Sequence, residues 1–188
     1  NISNVTTGGI ITLLADLEPV LAYEARQVQL VEGMVNLTGE ATYLEAESAL
    51  VQPDMQVDED DAASGKQFVW VPGEPGGRNS KPGGMTWRLN VPEAGDYYLW
   101  GRIKAPTPDD DSFFVRVHTE ETEPIGRVDW HTGQHESWEW TPFTLRNSEE
   151  PVALPLPEGE VTLEISARED GTKLDRVMLT PYMDFEPR

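Results

Sequence analysis

The sequence has no cysteine, which removes disulfides, thiolate zinc sites and cysteine nucleophiles together and leaves a hard cation as the one extra brace beyond packing. Basic residues are scarce as well. Lysine occurs only at Lys66, Lys81, Lys104 and Lys173, and Lys plus Arg number 14 against 34 acidic residues. The net charge of -20 disfavours nucleic acid, anionic membranes and heavily sulfated glycans, and suits a neutral partner or a cation better. Long apolar runs are also missing. The longest, around residues 10–21, is interrupted by Asp16, Glu18 and Pro19 and falls short of the ~18 residues a bilayer span requires, so no membrane insertion is expected. The chain opens at Asn1 with no initiator Met and no signal h-region, the form expected of an exported product after processing or of a chain trimmed at its start.

What is present points to a folded protein. Hydrophobic residues make up 38% of 188 residues, with six Trp and five each of Tyr and Phe, enough to build one core. From about residue 41 onward, short β-branched and aromatic runs recur between Pro, Gly, Asn and Asp, at 67–71, 85–91, 97–104, 112–118, 138–145, 161–167 and 174–180. Alternation is clear in several. Phe113, Val115 and Val117 share one face of their run and Phe114, Arg116 and His118 the other, while Val161, Leu163 and Ile165 alternate with Thr162, Glu164 and Ser166. Pro-first, Gly-later turns at 92–96 and 157–160 join such strands in antiparallel fashion. These features predict an all-β, antiparallel jelly-roll β-sandwich over residues 42–181, with a short C-terminal tail at 182–188. The Pro- and Gly-rich stretch 72–84 is expected to be a long exposed loop.

Residues 1–41 stand apart as an additional N-terminal segment, strand-like or mixed, with a possible helix over 12–25 weakened by Pro19. Tyr23-Glu24-Ala25, Leu30-Val31 and Met34-Val35 faintly echo Leu44-Glu45-Ala46, Leu50-Val51 and Met55-Gln56-Val57. The echo is a coincidence or a duplicated strand able to pair with this sheet or with a neighbour's.

Three motifs follow one another in the strand-rich region: Leu44-Glu45-Ala46-Glu47-Ser48, then Val91 to Arg102 with Ala94-Gly95-Asp96-Tyr97 at its centre, then Arg168 to Val177 containing Asp175. In this order they resemble carbohydrate-binding modules of the family 6 and family 35 type, galactose-binding-like β-sandwiches. Such modules open with Glu-Ala-Glu, carry a central Ala-Gly-x-Tyr strand and close on a strand with an Asp. Two carboxylates at i and i+2, Glu45 and Glu47, project from one face of a strand and repel unless a cation or a basic group lies between them. A solvated face with Arg176 or Arg168 as counter-ion is the plain alternative. Structural calcium (Ca2+) suits such a pair, and the resemblance implies that Asp175 completes the cage.

The resemblance also implies a polysaccharide held on aromatic platforms, since a sugar presents apolar C–H faces and polar rims. Trp70, Trp87 and Trp100 fall in alternating runs and are expected in the core, whereas Trp130, Trp138 and Trp140 flank turn-like sequence and are the platform candidates. The Asn that such modules often place before the last strand is absent; Asp170-Gly171-Thr172 stands there, so Asp170, Thr172 or Lys173 would supply the hydrogen bonds. His131 and His135 sit in a Gly-containing turn, and the acidic runs at 58–61 and 109–111 lack the spacing of a calcium loop, so solvated loops are expected there. Asn1, Asn4 and Asn36 begin glycosylation sequons.

The expectation is a non-catalytic, extracellular, calcium-stabilised module that binds polysaccharide. A second expectation is a self-assembling extracellular filament or surface-layer subunit with the same fold, a homopolymer through residues 1–41. An enzyme is not expected, because no carboxylate spacing singles out an acid and a base.

Overall fold

The computed structural model describes residues 33–73, 83–119 and 127–188. Among them the strands are β1 (Met34–Asn36), β2 (Thr42–Glu45), β3 (Leu50–Val51), β4 (Gln56–Glu59), β5 (Gln67–Trp70), β6 (Gly84–Val91) and β7 (Gly95–Ala105). They continue with β8 (Ser112–His118), β9 (Val128–His131), β10 (His135–Pro142), β11 (Ala153–Leu156), β12 (Gly159–Ala167) and β13 (Lys173–Thr180). Sheet A runs β1-β6-β12-β8-β9 with β3 also on β6, and sheet B runs β10-β7-β13-β5-β4 with β11 on β7 and β2 on β13. Consecutive strands stay in one sheet only at β4 to β5, β8 to β9 and β10 to β11 and change sheet at every other step, the path of an all-β sandwich.

The period-2 pattern explains the layers. Met85, Trp87, Leu89 and Val91 of β6, Phe113, Val115 and Val117 of β8, and Val161, Leu163 and Ile165 of β12 turn one way from sheet A. Leu44, Val69, Leu99, Ile103, Leu174 and Val177 meet them from sheet B. Each such side chain contributes up to about 1.5–3 kcal/mol by leaving water, a figure that counts from an extended unfolded chain.

Trp130 of β9 is the centre of this core. It is 0% exposed, packs edge-on against Phe143 at 6.0 Å and donates its indole N–H to the Pro142 carbonyl at 2.9 Å. The expectation of a sugar platform at Trp130 is thereby corrected. Its ring fills the space over Gly101 of β7, where a Cβ would lie 2.4 Å from the indole, so a residue without a side chain is required there. Trp87 is in the core as expected, but Trp70 and Trp100 are not; both are partly exposed on the outside of sheet B.

The N-terminal segment is described only from residue 33. β1 pairs in parallel with β6 of its own sandwich, Val35 opposite Leu89, as an edge of sheet A. The expected helix at 12–25, the first part of the sequence echo and most of the loop at 72–84 lie outside the described residues. No helix among the described residues is long and apolar enough to cross a membrane.

Candidate functional site

The outer face of sheet B gathers aromatic and cationic side chains. On β7 the buried Leu99, Gly101 and Ile103 alternate with Tyr98, Trp100, Arg102 and Lys104, which therefore point outward. Register then sets rows across the sheet. Trp140 of β10 stands opposite Arg102, Arg102 opposite Arg176 of β13, and Arg176 opposite Glu45 of β2. One row along, Lys104 stands opposite Lys173 of β13, and Lys173 opposite Trp70 of β5. A third row holds Pro142, Trp100, Met178 and Tyr43. Tyr43, Trp70, Tyr98, Trp100, Trp138 and Trp140 are all partly exposed here.

The rings touch one another and the cations. Trp140 meets Tyr43 edge-on at 5.9 Å, and the Arg176 guanidinium lies 4.7 Å from the Tyr43 ring. Trp138 reaches across the sheet to Phe68 at 5.5 Å and donates its indole N–H to Asp60 at 3.1 Å. Lys104 and Arg102 lie 5.9 Å and 6.0 Å from the same indole. Asp60 is tied down from several sides: the Ala62 N–H above all, then Lys104 and Trp138, hold its carboxyl below the usual aspartate range. The indole of Trp138 is consequently anchored at its polar edge while its ring lies on the face.

Glu45, Glu47 and Asp175 do come together, though not as two carboxylates on a strand. β2 ends at Glu45, and Glu47 sits in a 3-10 turn at Ala46–Ser48. A second turn, Ser64–Lys66, is the hub. The Ser64 N–H donates to Asp175 at 2.8 Å and its hydroxyl to Glu45 at 3.0 Å, while Gly65 runs so close to Glu47 that a Cβ would meet Oε1 at 2.9 Å. Asp175 lies in a bulge of β13, fully buried, and its other oxygen accepts from Arg102. Burial pushes the Glu47 and Asp175 carboxyls up, and neighbouring carboxylates add to the rise in both.

The donor chemistry tests the calcium expectation in two directions. Glu45 Oε2 and Glu47 Oε2 are buried with no hydrogen-bond partner, which suits a hard cation. Asp175, however, is committed to Arg102 and Ser64, and among the described residues no group of three or more His, Cys, Asp or Glu side chains is gathered so as to hold a metal ion. Arg176 Nε, 3.6 Å from Glu45 Oε1, makes an ion pair there but no hydrogen bond.

The remaining candidates divide. Lys173 belongs to the sheet B face, beside Trp70. Asp170 and Thr172 lie instead in the β12–β13 connection at the end of the sandwich, where Gly171 takes φ 87° and donates its N–H to the Val71 carbonyl at 2.9 Å. Thr172 is 1% exposed and Asp170 is pressed against Gly73, so neither stands free beside the rings of sheet B. The structure thus brings together Trp138, Trp140 and Lys173, and adds Tyr43, Trp70, Tyr98, Trp100, Arg102, Lys104 and Arg176. Alternation along β7 and β13 holds the signal for these additions, once it is known which face is buried.

The sequence matches no protein-family model and no curated protein. Solved structures do match. A family 35 carbohydrate-binding module from Clostridium thermocellum superposes with a TM-score of 0.54 at 18% identity, over 75% of this chain and 98% of that one. The C-terminal family 6 module of a marine laminarinase from Zobellia galactanivorans gives 0.53 at 17% identity, over 74% and 98%. The fold is that of these binding modules. A Podospora anserina mannanase joining a glycoside hydrolase family 26 domain to a family 35 module gives 0.57 at 16% identity, and the likeness spans 80% of this chain but only 29% of the mannanase.

Proposed function

We propose that this protein is a non-catalytic, extracellular module that binds a polysaccharide on the outer face of sheet B, stacking sugar rings on Trp138, Trp140 and their neighbours. The observation that carries this reading is the gathering of six partly exposed aromatic side chains on one sheet face. Aromatic rings of this kind offer apolar area to the C–H faces of a pyranose, and the amphipathic Trp and Tyr tolerate water around them. The cations and Asp60 supply hydrogen bonds for the sugar rim. The fold shared with family 6 and family 35 modules supports the same reading.

Calcium belongs to the proposal as a structural brace at Glu45 and Glu47, with Asp175 shared between the cation and Arg102. Its support is the pair of buried carboxylate oxygens without partners. A bound cation would offset the burial, and the smaller carboxylate repulsion, that raise Glu47 and would tie β2 to the Ser64–Lys66 turn and β13. Titration of the chain against a panel of soluble polysaccharides tests the reading. Binding that is lost in Trp138→Ala and Trp140→Ala supports it; a folded protein that binds no glycan sinks it.

A further inference from the structure

We propose that Asn36 is an N-glycosylation site, its side-chain amide carrying an oligosaccharide at the edge of sheet A. The inference goes beyond the sugar-binding reading and shares with it only the export of the chain.

The sequence supplies the acceptor. Asn36-Leu37-Thr38 has the required Asn-x-Thr spacing with no proline in the middle, and among the described residues it is the one such triplet. Spacing is necessary and far from sufficient, so the local geometry decides. Val35 packs on the core and Leu37 is 4% exposed, whereas Asn36 and Thr38 are both exposed. Alternation along the chain therefore turns the two acceptor-triplet side chains outward on one face, while their apolar neighbours root the backbone. Leu37 donates its N–H to the Asn90 carbonyl at 3.0 Å. Beyond Thr38 the chain turns at Gly39, φ 65°, and the Thr38 N–H closes the turn on Thr42 Oγ1 at 2.9 Å.

The amide itself is oriented. Asn90 of β6 stands opposite Asn36 and donates its Nδ2 to Asn36 Oδ1 at 2.8 Å. With its oxygen held against the sheet, Asn36 presents its nitrogen on the other side of the amide, and no described residue accepts a hydrogen bond from that nitrogen. A substituted amide keeps its carbonyl acceptor, so a glycan on Nδ2 leaves the Asn90 contact intact. Met34, two residues back on the same face, is 44% exposed and gives the first sugar an apolar side chain to lie over.

The reaction is a transfer from a polyprenyl-diphosphate-linked oligosaccharide. Asn36 Nδ2 bonds to the anomeric carbon of the reducing-end sugar and the bond from that carbon to the diphosphate oxygen breaks. The polyprenyl diphosphate leaves with the electron pair, and one amide proton passes to a base of the transferase.

The position gives the modification a use. β1 pairs with β6 on one side, and no described strand lies on its other side, so its outer N–H and C=O groups are open to a strand of another chain. A bulky, solvated oligosaccharide on Asn36 shields that edge. The rings of sheet B lie on the opposite outer face and stay uncovered.

Glycopeptide mass spectrometry of the chain exported by its own cells tests the inference. The expected result is an Asn36 peptide heavier by one oligosaccharide, a gain lost in Asn36→Gln and equally in Thr38→Ala, which leaves the asparagine in place. Asn36 unmodified in the exported chain overturns the inference and leaves polysaccharide binding on sheet B standing. A chain retained in the cytosol and unmodified overturns both the inference and the extracellular reading. Enzymatic removal of the oligosaccharide from the folded protein needs no variant and reads the edge directly. Light scattering should then show faster self-association, with polysaccharide affinity unchanged. Self-association indifferent to removal overturns the shielding role, and an altered affinity overturns the placement of the oligosaccharide away from sheet B.

Discussion

The two outer faces of the sandwich are built on the same rule and carry opposite contents. On sheet A the outward positions are small, polar or paired by charge: Thr86, Arg88 and Asn90 on β6, Thr162 and Glu164 on β12, and Arg116 on β8. Arg116 faces Glu164 across the ladder at 3.6 Å, and Arg88 donates to Glu160 at 2.6 Å. Among the described residues its one outward Phe, Tyr or Trp ring is Phe114, under the Arg127 guanidinium at 4.2 Å. On sheet B the equivalent positions hold seven rings, the six partly exposed ones and Phe68 beneath Trp138, and four cations. Solubility explains the first face and leaves the second without a purpose. The core between them is shared, so the difference isolates function from fold.

The largest expected effect separates the two kinds of tryptophan. Trp130→Ala empties a fully buried site and should cost about 3–5 kcal/mol of stability in chemical denaturation. Trp138→Ala should cost far less stability and yet weaken glycan binding by about 10-fold or more, as loss of a central aromatic anchor does. If both variants lose the same stability and neither changes binding, the sheet B face is ordinary packing.

That contrast also shows why part of the molecule was legible in its sequence. Strands such as β8 and β12 place apolar and polar residues in strict alternation, so their inner face could be assigned without a structure. β5 and β7 do not: Phe68 and Trp70 alternate with Val69, and Trp100 with Leu99, so both faces look apolar and the wrong tryptophans were assigned to the core. Trp130 failed for the reverse reason. Its neighbours Asp129 and His131 suggest a turn, and what buries its ring is Gly101, distant in sequence and visible only across the sandwich. Glu45, Glu47 and Asp175 all lie about the Ser64–Lys66 turn, but that turn and the hold of Arg102 on Asp175 have no local signature in the sequence.

A smaller effect is expected at that carboxylate group, which links β2 and β13 of sheet B through the Ser64–Lys66 turn. Glu47 and Asp175 have folded pKa values raised by burial, so each favours the fold in its protonated form. That contribution is complete below the ordinary carboxylate value of about 4 and is lost as pH rises through the raised one. Calcium binds the ionised form and should reverse the loss. At free calcium of a hundred times its Kd the gain is about 2.7 kcal/mol, which for a chain of this size raises Tm by about 5–10 °C at neutral pH. Glu47→Gln should stabilise the chelated protein as pH rises from about 4 to 7 and should lose most of the calcium response. A Tm indifferent to both calcium and Glu47→Gln removes the cation from the account.

The smallest effect is the control on sheet A. Glu160→Ala removes a half-exposed partner of Arg88, and pairs of this kind contribute about 0–1 kcal/mol because water and salt already screen them. Stability should change within that range and glycan affinity should not change. The value of the measurement lies in its symmetry with Lys173→Met, which removes a cation from the sheet B face. Both variants alter one charge on an outward strand position of the same sandwich, yet only the sheet B variant is expected to alter ligand affinity. If Glu160→Ala shifts affinity as much as Lys173→Met, the protein's overall charge governs binding, and the local arrangement of rings and ammonium groups on sheet B does not.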